Sequence, residues 1–600
     1  MVALDIEVLN TFKLLSDAER VIILSKGNTM ALKEYPRTYL SRDFNPGNLD
    51  HIQTEFTKLT GTKIESKEDM EKWTLHVSEL LSAIFEEGAK RYVDSTCYTE
   101  DEGIQKRFME FISEIEPKIK PHNFEVMRVI ANSPYTSGLD KSEFTNIIRS
   151  AKNQVEIYRE ENIPLQTEDQ KLNNEYQQVV GAAMIEFEGK EYTIPQMGKF
   201  LEDNDRSRRE SAFRATWGRF LKDTDKYNQI YNEQVKLRHQ IAKNTGFKDY
   251  RDFRFRELER FDYGTKESIE FQDAIAEVVV PIVDEIYLDR KQKLGVDVLR
   301  PWDLAVDPSG NEPLTPFDGG EELARKARAA FDKVDSRLSN YFDVLIENKL
   351  LDLDSRKGKA PGGYMCAYDE QRKPFIFMNA AGLQRDVDTM LHEGGHAFHT
   401  IASRDHRLIF NRTSPIEFAE VASMSMELLA GTYLNVFYKT EEEAKRARKK
   451  HLGEVITLLP WIAVIDAFQH WVYSHPQHTV DERYDAWVKI FDRFNGKVVD
   501  YSGLDDIRKN RWMRQMHLYG YAFYYIEYGI AQLGALQVWH NYKKDSKKAI
   551  ESYLNGLSQG NTLKLPELFE AAGVKFDFSR PMLSDLMGMV KSELATMTNI

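Results

Sequence analysis

The amino-acid sequence predicts a mainly helical protein of at least two lobes with a small β-sheet. Three observations carry this. The chain has 600 residues, well past the length of about 250–300 residues at which a single hydrophobic core stops growing. Apolar residues recur at helical spacing through most of it, as in residues 69–85 and 104–119. Strand signals are confined to short stretches. In MIEFEGKEYTI, residues 184–194, strand formers flank Glu188-Gly189 as in a β-hairpin. In QRKPFIFMNA, residues 371–380, the apolar run 375–378 reads as a strand, and as an edge strand because Pro374 begins it. Helical patterns fill residues 195–251 and 321–349, with Pro281 interrupting another helical stretch and a loop rich in Asp, Pro and Gly at 303–320. From residue 386 onward the pattern is helical again. The hairpin suggests a division near residue 200, with an N-terminal helical lobe at 1–200 and a second lobe at 201–600.

Composition narrows the class. Hydrophobic residues make up 42% and charged residues 29%, which argues for a folded chain rather than a disordered one. The net charge of -14 disfavours a nucleic-acid partner, which calls for a basic face. Cys97 and Cys366 are the two cysteines, too few for a secreted disulfide framework, so a reducing cytoplasm is expected. Residues 1–15 lack the basic start, apolar core and cleavage site of a secretory leader. The longest apolar stretch, 455–468, is broken by Thr457, Pro460 and Asp466 and is too short to span a bilayer, so no membrane partner is expected.

The chemistry concentrates at DVDTMLHEGGHAFHTIAS, residues 386–403. His392 and His396 are four apart, which on a helix stacks both imidazoles on one face within reach of one ion. Val387, Met390, Leu391, Ala397, Phe398 and Ile401 supply the buried face. Glu393 sits beside the histidines, placed to reach a water without ligating. This is the HExxH arrangement of a zinc hydrolase. Gly394 and Gly395 each weaken a helix by about 1 kcal/mol relative to alanine, which is tolerable where another backbone passes close. A third ligand is required. In the next helix, Ser414-Pro415-Ile416-Glu417 reads as an N-cap, a first-turn proline and a capping-box glutamate. Glu420 then lies among Phe418, Ala419, Val421 and Ala422, an apolar setting in which a carboxylate needs a partner such as zinc. Glu427, on the same face, either orients a histidine or forms a salt bridge. His399 reads as supporting or packing rather than as a fourth ligand, which would close the site to water.

Residues 517–528, HLYGYAFYYIEY, hold five tyrosines and a histidine. These are suitable donors for an oxyanion, and equally the face of a buried aromatic helix.

Taken together, HEGGH, the following FAEVASMSME and this Tyr-rich segment resemble the thimet oligopeptidase family, with the bacterial oligoendopeptidase F branch nearest. LGVDVLRPWDL (294–304), PGGYMCAYDEQRKPFIFMN (361–379), the EFEGKEYTI hairpin and ESAFRATWGRF match as well, so the resemblance covers roughly residues 180–590. It implies one zinc ion on His392, His396 and Glu420, Glu393 as general base, and His517 with a tyrosine as oxyanion donors. Tyr524 and Tyr528 fit that role, with Tyr521 and Tyr525 as alternatives. The family's glycine-rich loop before these tyrosines is reduced here to Gly520. Gly394 stands where the motif usually has a bulky residue, implying a roomier floor. The implied fold is a helical clam of two lobes around a deep channel. Its small sheet would offer the strand 375–379 as a free edge, onto which a peptide adds. Gly362, Gly363, Phe375, Phe377, Asn379 and Tyr521 are the expected substrate contacts. The implied activity is endopeptidase cleavage of short unstructured oligopeptides. Competing readings are a peptidyl dipeptidase, which needs a cationic pocket for a terminal carboxylate, and a peptide-binding protein with a non-catalytic zinc, against which the intact Glu393 argues. Cys366, within the cleft segment, reads as a small buried residue or a thiol-sensitive one.

Overall fold

The computed structural model describes residues 33–597, so residues 1–15, where no secretory leader is expected, lie outside the described residues. As expected, the protein is a mainly helical, two-lobed clam with small sheets. Its elements follow from local sequence logic. Helix α1 (Lys67–Cys97) starts at Ser66, whose side chain accepts from the Asp69 amide. Strands β1 (Met184–Phe187) and β2 (Lys190–Thr193) form the expected hairpin, with Glu188 and Gly189 both at positive φ, as this tight turn requires. Helix α2 (Gly320–Val334) ends at Asp335, so the helical pattern at 321–349 is two helices and not one. Then come β3 (Leu351–Asp354), β4 (Gly363–Tyr368) and β5 (Lys373–Ala380), followed by α3 (Gln384–Ser403), α4 (Ile416–Ala430), α5 (Glu441–Ser474) and α6 (Ile526–Lys544).

Apolar cores organise these elements. One gathers Leu40 to Ala151 and includes Leu408 and Ile409 from the loop after α3. The large core runs from Val93 to Met597, and a satellite under the hairpin joins Ile185 and Phe187 to Met197 and Phe200. Helix α1 is shared, since Trp73 and Leu80 belong to the first core while Val93 and Cys97 belong to the second. Helix α5 is long and apolar enough to cross a membrane, but 72% of its most apolar window is buried inside the protein, as befits a core helix.

The three-stranded sheet corrects the expected edge. Its order is β3-β5-β4, so β5 is central, parallel to β3 and antiparallel to β4. Phe375 and Phe377 are 8% and 0% exposed and pack in the core, where no substrate reaches them. Asn379 is held in the ladder, its amide on the Gly362 carbonyl at 3.0 Å. An unbroken apolar run is the mark of a strand covered on both faces. Pro374 marks the start of the strand rather than an edge, because β3 begins opposite Ile376 and asks nothing of position 374. The free edge is β4. Since Asn379 donates to Gly362, the alternation of an antiparallel ladder turns Tyr364, Cys366 and Tyr368 towards β5 and the backbone groups of Gly363, Met365 and Ala367 outward.

The two glycines of α3 mark close packing. A Cβ on Gly395 would lie 2.6 Å from Cα of Ser423, on the α4 backbone. One on Gly394 would lie 2.7 Å from the Phe331 ring of α2, so an aromatic ring fills the space that the resemblance left roomy. Gly395→Ala should therefore destabilise the fold by about 1–3 kcal/mol, because backbone must shift. Urea unfolding measures this, and an unchanged midpoint would show that α4 is free to move.

Candidate metal centre and active site

Helix α3 brings His392 and His396 together, with ring centroids 4.9 Å apart. Packing on Gly395 carries Glu420 of α4 to the same point. Its Oε2 lies 3.4 Å from His392 Nε2 and 3.7 Å from His396 Nε2. One donor atom from each of the three falls within a 4.8 Å cluster. Two imidazoles and one carboxylate are a donor set that can hold a metal ion. The surroundings fit a cation. Glu420 is buried, and its hydrogen-bonding side chain is Ser423 at 3.0 Å. Burial pushes its carboxyl up, against the pull of His392.

A second layer holds the first. Glu427 Oε1 meets His392 Nδ1 at 2.6 Å, and its other oxygen meets His451 Nε2 of α5 at 2.8 Å. The two readings of Glu427 coincide, because the same carboxylate that bridges His392 and His451 as an ion pair also fixes the His392 ring. Burial opposes its charge, yet the two histidines hold its carboxyl down at about 2. Burial likewise opposes charge on both imidazoles. The hydrogen bond to Glu427, with the neighbouring carboxylates, outweighs it and lifts each to about 9. His451 is absent from the sequence reading. One of two histidines in a 34-residue helix, it gives no signal until Glu427 is seen to need a second partner.

Glu393 is buried beside the cluster. Burial pushes its carboxyl up to about 7, His392 opposes this, and the outward amide of Met365 on β4 also favours the charged form. The free strand edge therefore passes next to the expected base. His399 is buried against Phe418, with ring centroids at 5.9 Å, and burial lowers it to about 4, so it packs and does not ligate. Glu417 departs from expectation. The helix starts at Ile416 with Pro415 in the cap position, so Glu417 is not a capping residue. It accepts instead from Tyr263 at 2.7 Å and faces Arg260 at 3.6 Å.

The Tyr-rich segment is a clamped turn. Phe523 is buried at φ 62°, a costly conformation for a non-glycine residue. Its amide donates to Gln469 and its carbonyl accepts from Arg260, both at 2.6 Å, while Arg254 holds the Ala522 carbonyl at 3.0 Å. This clamp orders the segment without a glycine-rich loop. His517 Nδ1 lies 2.6 Å from the Gln515 side-chain amide, which leaves Nε2 to carry the proton. Burial keeps the ring neutral by lowering it to about 4. Tyr524 and Tyr528 pack together with centroids at 5.6 Å, and His517 sits about equally far from both. Burial pushes Tyr528 up to about 12, with Glu420 adding to the shift, so this hydroxyl keeps its proton within the field of the metal cluster. Tyr521 is 47% exposed, at the rim of the segment, with ring centroids 6.1 Å from His517 and 6.3 Å from Tyr524. Gly362 is exposed at the start of the free edge, and Gly363 lies on it, half-buried. Cys366 is half-buried, and burial pushes its thiol up to about 11.

Residues 199–588 match the model of Peptidase family M3, and residues 43–158 match the Peptidase M3 N-terminal domain. The chain belongs to peptidase family M3. M3 relatives include Oligopeptidase PepF of Bacillus subtilis (strain 168), 26% identical over 418 residues, which are 66% of this chain and 58% of the relative. An oligoendopeptidase F homolog of Borreliella burgdorferi is 22% identical over 60% of this chain and 61% of its own. The chain thus spans about three-fifths of the length of these curated relatives. Among solved structures, PZ peptidase A with inhibitor 2 is 29% identical at a TM-score of 0.83, covering 93% of this chain and 99% of that one. An oligoendopeptidase-F from Enterococcus faecium, at 17% identity and a TM-score of 0.60, shares the fold over 92% and 96%. The sequence resemblance is thereby shown at the level of family M3, with oligoendopeptidase F homologues among the relatives.

The Glu427 bridge yields two expectations for this M3 centre. Glu427→Gln should weaken metal retention about 10–100-fold, the usual cost of losing a residue that orients a ligand. A competitive chelator titration reads this, and unchanged retention would reduce the bridge to packing. Stability should also depend on pH. Two histidines raised from 6.5 to about 9 stabilise the metal-free fold fully below pH 6.5, and lose that contribution as pH rises through 9. A bound metal requires neutral His392, so the metal-saturated protein keeps the His451 share alone. Unfolding midpoints between pH 6.5 and 9 should fall more steeply without metal, and equal slopes would refute the shared bridge.

Proposed function

We propose that this M3 peptidase is a zinc-dependent endopeptidase that hydrolyses short, unstructured oligopeptides. The observation that carries the reading is the convergence of His392, His396 and Glu420 beside Glu393. Zinc held by these three residues would act as a Lewis acid, polarising the scissile carbonyl and making its water more acidic. Glu393 takes the proton of the attacking water and hands it to the leaving amine, a task suited to a carboxyl raised to about 7. His517 Nε2–H and the Tyr528 hydroxyl, with Tyr524 beside it, donate to the oxyanion. The substrate backbone adds to the outward groups of Gly363, Met365 and Ala367, which reads main chain more than side chain. Extended peptides can pair with that edge and folded proteins cannot. A cytoplasmic setting suits a chain whose Cys97 and Cys366 are both free thiols.

The test uses an internally quenched peptide blocked at both ends. Wild type should cleave it, whereas Glu393→Gln should retain zinc and lose at least about 100-fold in turnover, in line with removal of a general base. Loss of cleavage on capping the C-terminus would favour the peptidyl dipeptidase reading instead. Peptide binding without turnover by the zinc-loaded wild type would favour a binding protein.

A further inference from the structure

Beside the metal centre, a cavity of about 130 Å³ opens between the end of β4, helix α3 and the loop that follows it. His396 forms part of its wall, as do Met365 and Ala367 of the free edge. Its volume is comparable to the roughly 150 Å³ of an engineered cavity that holds benzene, so one substrate side chain or a chain end fits. Arg372, Arg404 and Arg412 also line it, alongside Asp369, Tyr368 and Thr400.

Arg412 and Arg372 are held in place, yet among the described residues not by carboxylates. Arg412 donates to the backbone carbonyls of His406 at 3.2 Å and Asp369 at 2.6 Å. Arg372 donates to the Arg404 carbonyl at 2.9 Å and stacks 3.9 Å above the Tyr35 ring. Among the described residues, none of the three has a carboxylate within ion-pair distance. The nearby carboxylates are engaged elsewhere: Asp405 with Lys33 and Tyr35, Glu370 with Arg37, and Glu86 with Lys90 and Gln371. Asp369 also lines the cavity without pairing to a guanidinium, and burial pushes its carboxyl up to about 6. Three guanidinium groups therefore line the cavity with one carboxylate, Asp369, while Asp405, already bonded to Lys33 and Tyr35, lies near Arg372 and Arg404 outside the lining. Part-buried, unpaired cations are costly, and Arg is the residue suited to bidentate carboxylate recognition.

We propose that this cavity receives a carboxylate of the substrate, so that the protein prefers peptides with an acidic side chain, or a free C-terminus, next to the cleaved bond. The proposal rests on the peptidase reading for the identity of the ligand as a peptide. It adds a specificity element to an edge that otherwise reads backbone alone.

The deciding experiment measures binding and turnover separately. Zinc-loaded Glu393→Gln protein is titrated with fluorescent short peptides in which one Glu is walked along a neutral sequence, against matched Gln peptides. Each is made with a free and an amidated C-terminus. Glu at one position, or a free terminus at one length, should tighten binding roughly tenfold to hundredfold, as a charge-assisted contact does. The first pattern assigns the carboxylate to a side chain and the second to the chain end. Adding Arg412→Gln or Arg372→Gln should abolish the gain. If Arg412→Gln fails to fold, Arg372→Gln decides alone, with zinc content and thermal unfolding measured on both. Equal affinity for Glu and Gln, and for free and amidated ends, overturns the proposal. So does a gain that survives both arginine variants. Wild type that discriminates in binding but never cleaves sinks hydrolysis and leaves the carboxylate site standing, whereas cleavage without discrimination sinks the site alone. Absence of any peptide binding overturns both.

Discussion

The structure depends on how closely α3 and α4 approach. Gly395 leaves no room for even a methyl group against Ser423 and Ala422. That contact decides where Glu420 stands relative to His392 and His396. Two candidate ligands on one helix need only helical spacing, but the third candidate comes from a different helix, and its position is set by packing. A pair of rigid helices pressed backbone to backbone fixes the donor atoms better than loops would. The helix-weakening glycine is thus a requirement of the metal centre. Gly394 beside it serves the same end by admitting Phe331, which supports α3 from α2.

Charge balance then separates the three carboxylates around the histidines. Glu427 is held between His392 and His451 and stays ionised at low pH. Glu420 has Ser423 and two imidazoles beyond 3 Å, and burial disfavours its charge. Glu393 is raised further, with the Met365 amide as a modest counterweight. Only Glu420 combines contact with both histidines and an uncompensated charge. Electrostatics and geometry therefore single out the same carboxylate as the candidate metal ligand, with Glu427 bonded to His392 and Glu393 the carboxyl placed for the proposed proton transfer. Similar residue types take different roles because burial and partners differ at each.

What the sequence made legible follows the range of the interactions involved. The HEGGH helix, the hairpin at Glu188-Gly189 and the helical character of most of the chain rest on neighbours within four residues, and all appear in the structure. Glu420 was legible because an acidic residue in an apolar helical setting is a local anomaly. The errors lie where distant segments decide. Residues 375–378 look alike in a central and an edge strand until the pairing of β3 is known. Glu417 fits a capping box until Tyr263 and Arg260 claim it. His451 and the three cavity arginines carry no local signal, since their meaning comes from residues 24 or more positions away or from a shared cavity wall.

The loop between α3 and α4 links this chemistry to the lobes. Leu408 and Ile409 sit in the N-terminal core, the Ile409 amide donates to Ser78 at 2.7 Å, and Arg407 pairs with Glu71 and Glu143. Asn411 reaches the Glu143 carbonyl with its side chain and accepts from the Asn561 amide with its own carbonyl. One segment is therefore bound to both lobes while its ends continue into the two helices that carry the ligands. Lobe motion that displaced this loop would pull α3 and α4 at the turns nearest the metal centre and break their backbone contact at Gly395. A motion that kept the centre intact would have to leave this loop in place. It would open the far side, where α1 lies along β4 and Thr96 meets Tyr364 at 2.6 Å. An opening on that side would expose the free strand edge and leave the candidate metal ligands where the loop holds them.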